Sequence, residues 1–170
     1  MKSGIVVPSP IGALWMEEDG EGLCAVRMAL NEEESCPETP LLAKARTQIQ
    51  AYFSGSIRRF DLPLSQNGSA FDLAVWRALQ GSPYGEVRTY GELARLLGRP
   101  SAARAVGGAC SRNPLLIVVP CHRVIAASGM LTGFSAGLEV KRKLLLHEGH
   151  GLDALRASAS DSDMQRNRTE

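Results

Sequence analysis

The chain of 170 residues carries 19 Lys and Arg against 18 Asp and Glu, for a formal net charge of +1, and 44% of it is hydrophobic. That size and apolar content allow one or two small globular domains, and the lack of any run of about 18 apolar residues argues against a membrane-spanning helix. Four cysteines, Cys24, Cys36, Cys110 and Cys121, show no Cys-x-x-Cys spacing, which excludes a zinc-ribbon or thioredoxin-like motif and favours reduced thiols over a disulfide framework.

The start, Met1-Lys2-Ser3-Gly4-Ile5, has no apolar run or small-residue cleavage site of a secretory signal, so a cytoplasmic location and no membrane partner are expected. Ile5 to Val7, Ala13 to Glu17 and Leu23 to Leu30, separated by turns at Ser9-Pro10-Ile11-Gly12 and Asp19-Gly20-Glu21-Gly22, read as a β-meander. After the acidic stretch 31–38, Thr39 caps a helix with Pro40 at its first position, and Leu42, Ala45, Ile49, Tyr52 and Phe53 recur at helical spacing toward a stop near Gly55. The spacing marks this stripe as core.

The polar stretch 61–68 suggests a boundary, giving an α/β unit over residues 1–65 and a mostly helical unit over 68–151. Ser69 with Asp72 caps a helix whose face is Phe71, Val75 and Leu79. Thr89 and Glu92 have capping-box spacing and open a helix through Leu97, which Gly98 ends. Ser101 is expected to cap the next helix, through about Cys110, and the pair has the pattern of a helix-turn-helix. The second helix, Ala102-Ala103-Arg104-Ala105-Val106-Gly107-Gly108-Ala109, is nearly all small residues around one arginine, suited either to tight packing or to close approach to another surface. The last helix, about Leu138 to His147, turns Val140, Leu144, Leu145 and Leu146 inward and leaves Lys141, Arg142 and Lys143 partly outward. The Ser/Asp/Arg-rich residues 152–170 read as a disordered tail. Charge divides unevenly: residues 1–67 hold six basic and nine acidic side chains, a net of −3, whereas 68–150 hold ten and five, a net of +5.

Leu115-Leu116-Ile117-Val118-Val119 reads as an apolar strand that ends at Pro120 and delivers Cys121 to a rigid corner beside His122. From the residues alone, Cys121 is either an inert buried thiol or a nucleophile. As a nucleophile it needs a base and a group to orient that base, roles His122 and Glu148 can fill. Neighbours in an extended turn point apart, so His122 is expected to reach Cys121 through a water.

Arg104-Ala105-Val106-Gly107-Gly108, Asn113-Pro114, Pro120-Cys121-His122-Arg123-Val124 and His147-Glu148-Gly149 together resemble the active-site half of the O6-alkylguanine-DNA alkyltransferases. The specific match runs from about Phe71 to Gly149, and residues before Ser65 match only in general character. The resemblance implies an α/β (α+β) protein with a ribonuclease H-like N-terminal domain and a winged helix-turn-helix C-terminal domain. It implies single-use transfer of an alkyl group from O6-alkylguanine, and from O4-alkylthymine, in double-stranded DNA to Cys121. In that setting Cys121, His122, Glu148, Asn113 and Tyr90 are the catalytic set, with Tyr90 donating to the purine. Thr89, Ala102, Ala103, Arg104, Ala105, Arg112 and Arg123 contact DNA through the minor groove, Arg104 filling the space of the extruded base. Val124, Phe134, Ser135 and Ala136 line the base pocket. Phe134 stands where many members have tyrosine, and Ala136 where glycine is usual, which leaves preference for alkyl size open. No cofactor and no metal are expected: all three histidines, His122, His147 and His150, lie late in the chain, away from Cys24 and Cys36. A monomer is expected, with cooperative binding along DNA an open alternative. Two other readings stand beside this one: a non-catalytic lesion-binding or regulatory protein on the same scaffold, and a Cys-His-Glu thiol hydrolase.

Overall fold

Three antiparallel strands, β1 (Ser3–Val7), β2 (Leu14–Glu18) and β3 (Leu23–Met28), are followed by helix α1 (Pro40–Phe53) in the computed structural model, which describes residues 1–151 other than Glu32. The register pairs Ile5 with Met16 and Met16 with Val26. Alternation then puts Ile5, Val7, Leu14, Met16 and Val26 among buried residues, where they meet Leu42, Ala45, Ile49 and Tyr52 of α1. Thr39 caps α1 by accepting from the Leu42 N–H at 3.2 Å.

Helices α2 (Ala70–Gln80), α3 (Tyr90–Leu96), α4 (Ala103–Ser111) and α5 (Leu138–His147) form the second half, with β4 (Arg88–Thr89) and β5 (Val124–Ile125) making a short parallel ladder. Reciprocal capping boxes start α2 at Ser69/Asp72 and α3 at Thr89/Glu92. Gly98, at φ +70°, closes α3 as a left-handed residue. Helix α4 packs on both α2 and α3, and Trp76 Nε1 of α2 donates to the Ala109 carbonyl of α4 at 2.9 Å.

The two halves join through β3. Leu23 bridges Leu64 and Val26 bridges Leu115, both in parallel. The Val26 N–H donates to Pro114 O and its carbonyl accepts from the Leu116 N–H, each at 2.9 Å. One apolar cluster runs from Ile5 through Leu144 across this seam.

Three expectations are corrected. The run Leu115–Val119 is a buried knot of turns and not a strand. After the single bridge at Leu115, N–H groups of Val118, Val119 and Cys121 turn back to the carbonyls of Leu116, Leu115 and Val119. Ile117 takes φ +71° there, a strained conformation for a β-branched side chain. Second, Ser101 does not cap α4: Ala102 occupies the N-cap and no side chain bonds the first turn. Third, Lys141 is 0% exposed rather than partly outward. The expected disordered segment, 152–170, lies outside the described residues.

Trp76→Phe deletes one donor to Ala109 O while keeping an aromatic ring, and the carbonyl keeps the Arg112 N–H at 3.2 Å, so stability should fall by about 0.5–1.5 kcal/mol, the net contribution of one hydrogen bond. Urea unfolding checks this as a lower midpoint at unchanged slope.

Candidate active site

Asn113 organises the turn that carries the thiol. Its Oδ1 accepts from the Leu115 N–H at 3.0 Å, and its Nδ2 donates to Val119 O at 2.9 Å and to Cys121 Sγ at 3.1 Å. Pro120 ends the knot, and Cys121–Arg123 form a single turn of 3-10 helix. Cys121 is 4% exposed. Burial pushes its thiol above the ordinary range, while the Asn113 hydrogen bond and the positive charge of Lys141 pull it back. The resting group is therefore a thiol with a ready stabiliser for the thiolate, and it needs a base.

His122, next in the chain, is fully buried, and its Nε2 lies 2.7 Å from Glu148 Oε1. An ionised carboxylate at that nitrogen requires Nε2–H, which leaves Nδ1 as the basic nitrogen. Nδ1 is buried and has no hydrogen-bond partner among the described residues. Burial holds the imidazole below its ordinary pKa against the raising effect of Glu148, so the ring is neutral and able to take a proton. Burial alone would push Glu148 up, but hydrogen bonds from His122 and Arg123 hold it far below the usual carboxylate range.

Glu148 accepts from four further donors: Arg123 Nε and Nη2 at 2.8 Å each, Tyr52 OH at 2.8 Å and the Gly85 N–H at 3.3 Å. Arg123 completes its bonding by donating from Nη1 to Ser82 O at 2.7 Å. This corrects the expectation that Arg123 contacts DNA: its side chain is buried because Glu148 requires a fixed countercharge. Arg112 stays exposed, and its Nη2, 2.6 Å from Asp72 Oδ1, ties the end of α4 to α2. Neither Tyr52 nor Gly85 was singled out from sequence as a site residue, since Tyr52 sits in a helical stripe indistinguishable from core packing.

Lys141 was missed too. Its Nζ donates to Val124 O at 2.5 Å and to Thr132 O at 2.8 Å, and burial draws its pKa down to about 8. Thr132 O also accepts from Tyr90 OH at 3.2 Å, so Lys141 and Tyr90 pin the same carbonyl of the 126–137 loop. Burial pushes the Tyr90 phenol above its ordinary range, keeping it a donor at neutral pH. Val124 is buried in β5, while Phe134 and Ala136 pack partly against the core. Ser135 and Ala136 line a cavity of about 390 Å³ whose other walls are Asn113 and Pro114 of the thiol turn and Ala25 to Met28 of β3.

On the outer side of α4, Arg104 and Ala105 are exposed and Ala102 and Ala103 half-buried, with Val106, Ala109 and Cys110 packed beneath. Thr89 is engaged in its cap, accepting from the Glu92 N–H at 3.1 Å. Among the described residues no group of three or more His, Cys, Asp or Glu side chains is gathered to hold a metal ion.

A buried thiol beside a neutral imidazole and an ionised carboxylate, behind a helix-turn-helix pair with a small-residue second helix, defines a cysteine-nucleophile enzyme. Residues 70–150 match the family described as 6-O-methylguanine DNA methyltransferase, DNA binding domain, and residues 5–66 match its ribonuclease-like domain. The methylated-DNA-protein-cysteine methyltransferase of Methanosarcina acetivorans is 44% identical over 150 residues, covering 85% of this chain and 96% of the relative. That of Mycolicibacterium paratuberculosis is 49% identical over 147 residues, covering 84% and 89%. The crystal structure of Mycobacterium tuberculosis O6-methylguanine methyltransferase superposes with a TM-score of 0.79 at 44% identity, covering 87% of this chain and 93% of that one. That of Mycobacterium tuberculosis OGT in complex with DNA gives 0.75 at 46% identity, covering 84% and 90%. The chain belongs to the methylated-DNA-protein-cysteine methyltransferase family.

Two outcomes follow from this geometry. Tyr52→Phe removes one donor from a buried anion and should cost about 1.5–3 kcal/mol, the range for hydrogen bonds to charged groups; thermal unfolding measures the loss, and a maleimide-type reagent should modify Cys121 at an altered rate. His122 and Glu148 both have folded pKa values below their ordinary 6.5 and 4.5, so the unfolded chain binds more protons and stability falls with acid. The decline should begin as pH drops below 6.5 and steepen below 4.5, and His122→Gln should lose its upper part in urea midpoints measured from pH 8 to 4.

Proposed function

We propose that this protein repairs DNA by moving an alkyl group from O6 of guanine to Cys121, once per molecule. The observation that carries this reading is Nδ1 of buried His122, unpartnered among the described residues, adjacent in the chain to a buried thiol and backed by Glu148 on the other nitrogen. Nδ1 takes the thiol proton, through a water where the two groups do not meet. The sulfur then attacks the alkyl carbon, the S–C bond forms, and the C–O bond breaks with its electron pair passing into the purine. Tyr90 donates a proton to the ring so that guanine leaves neutral. The product is a thioether, which has no leaving group to restore the thiol, so the protein is consumed.

The alkyl carbon is out of reach inside a stacked duplex, so the base must be extruded. The small residues Ala102, Ala103 and Ala105, half-buried or exposed, suit α4 to the narrow minor groove, with Arg104 entering the stack in place of the base. Thr89 flanks this face at the start of α3. Val124, Phe134, Ser135 and Ala136 form the base pocket. O4-alkylthymine offers the same alkyl–oxygen bond and is included as a substrate. The protein acts as a cytoplasmic monomer without cofactor, with residues 1–65 supporting the reactive unit over 68–151. The non-catalytic alternative gives no role to the Cys121–His122–Glu148 arrangement.

Incubation with a duplex carrying one O6-methylguanine should add one methyl mass per protein and no more, and Cys121→Ala should gain none; intact-protein mass spectrometry checks both. Arg104→Ala should slow repair of the duplex by tenfold or more, on the order of the few kcal/mol that extrusion costs. Reaction with O6-methylguanine as a free base should keep its wild-type rate. Equal slowing on both substrates would place Arg104 in the chemistry instead of the stack.

A further inference from the structure

We propose that the cleft between the segment after α1 and the outer face of α2 binds a phosphate-bearing ligand. The cavity measures about 420 Å³, within the range of small-molecule sites. Arg58 and Arg59 line one wall and Arg77 of α2 lines another, and no acidic side chain lines the cleft. Among the described residues none of the three arginines makes an ion pair. Arg123 at the cleft's edge has its charge balanced by Glu148, so the three remaining charges stand uncompensated.

Two details prepare the cleft for an anion. The Arg58 guanidinium lies over the Tyr84 ring, 5.1 Å from its centroid, which limits its freedom before a ligand arrives. Gln66 Oε1 accepts from Gln80 Nε2 at 3.1 Å. In that arrangement Gln66 Nε2 is a donor, buried without an acceptor among the described residues. A planar carboxylate matches one guanidinium fork, whereas three guanidiniums and an amide N–H suit the several oxygens of a phosphate or diphosphate. The cleft also shares a wall with the thiol turn, through Val118 and Pro120, and Arg104 is not among its residues. Its ligand is therefore distinct from the extruded base, and the inference does not rest on the reading of Cys121. A soluble nucleotide or polyphosphate, or the backbone of a nucleic-acid strand, would present the same chemistry.

Calorimetric titration of the full chain with inorganic pyrophosphate tests this. Wild type should bind one equivalent, and Arg59→Gln/Arg77→Gln should bind about tenfold more weakly or worse, tenfold being 1.4 kcal/mol. A cooperative urea transition of unchanged slope in the double variant verifies its fold. Displacement of pyrophosphate by dAMP but not by an undamaged single-stranded oligonucleotide assigns a soluble ligand; displacement by the oligonucleotide assigns a strand. No binding up to about 10 mM pyrophosphate, far weaker than a millimolar site, overturns the proposal. So does equal binding by the double variant, or loss of binding in Arg104→Ala instead.

Discussion

A carboxylate removed from water is tolerated only when donors surround it, and Glu148 draws those donors from every part of the fold. Tyr52 comes from α1, Gly85 from the loop between α2 and β4, and His122 and Arg123 from the turn that follows Cys121. Arg123 balances the charge, so the cluster is neutral as long as His122 is neutral. Protonating His122 would leave two buried cations against one anion. The same balance that stabilises the core therefore keeps Nδ1 unprotonated, and the orientation of the imidazole inherits the rigidity of its surroundings.

The N-terminal half takes part in the site without supplying the reacting atoms. Tyr52 reaches across the seam to the carboxylate, and β3 holds Pro114 and Leu116 at the mouth of the knot that ends in Cys121. Within that knot Asn113 satisfies one N–H and two carbonyls while also donating to the sulfur. Ile117 is held at positive φ because the flanking bonds leave it no alternative, a local cost offset by burial of its neighbours. The thiol is thus presented by a strained, fully packed turn whose supports lie on both sides of the seam.

Elements governed by local chemistry were legible in the sequence. Thr39-Pro40, Ser69…Asp72 and Thr89…Glu92 each start a helix by side-chain bonding within four residues, and the apolar spacing of α5 matches its bounds. The residues that misled are those whose setting depends on distant partners. Leu115–Val119 has the composition of a strand, but only Leu115 finds a neighbour to pair with, and Asn113 folds the rest back. Lys141 and Arg123 carry charges that composition assigns to the surface, yet Thr132, Val124 and Glu148 supply buried acceptors from elsewhere in the chain. The resemblance of short motifs to a known family placed Cys121, His122 and Glu148 together, which spacing alone did not.

The +5 of residues 68–150 does not by itself locate a nucleic-acid face, because pairing decides which charges are free. Arg112 is bound to Asp72, Arg123 to Glu148 and Arg142 to Glu139, and Lys141 is buried. Arg77 opens into the cleft beside α2. Among the described residues that leaves Arg88, Arg95, Arg99, Arg104 and Lys143 without ion pairs; the four arginines fall on β4, α3, the turn after it and α4, and Lys143 on α5. The Lys-Arg-Lys run of α5 is the densest basic motif in the sequence, but one member is internal and another is paired. The uncompensated charge therefore gathers mainly on the helix pair that carries the small-residue surface.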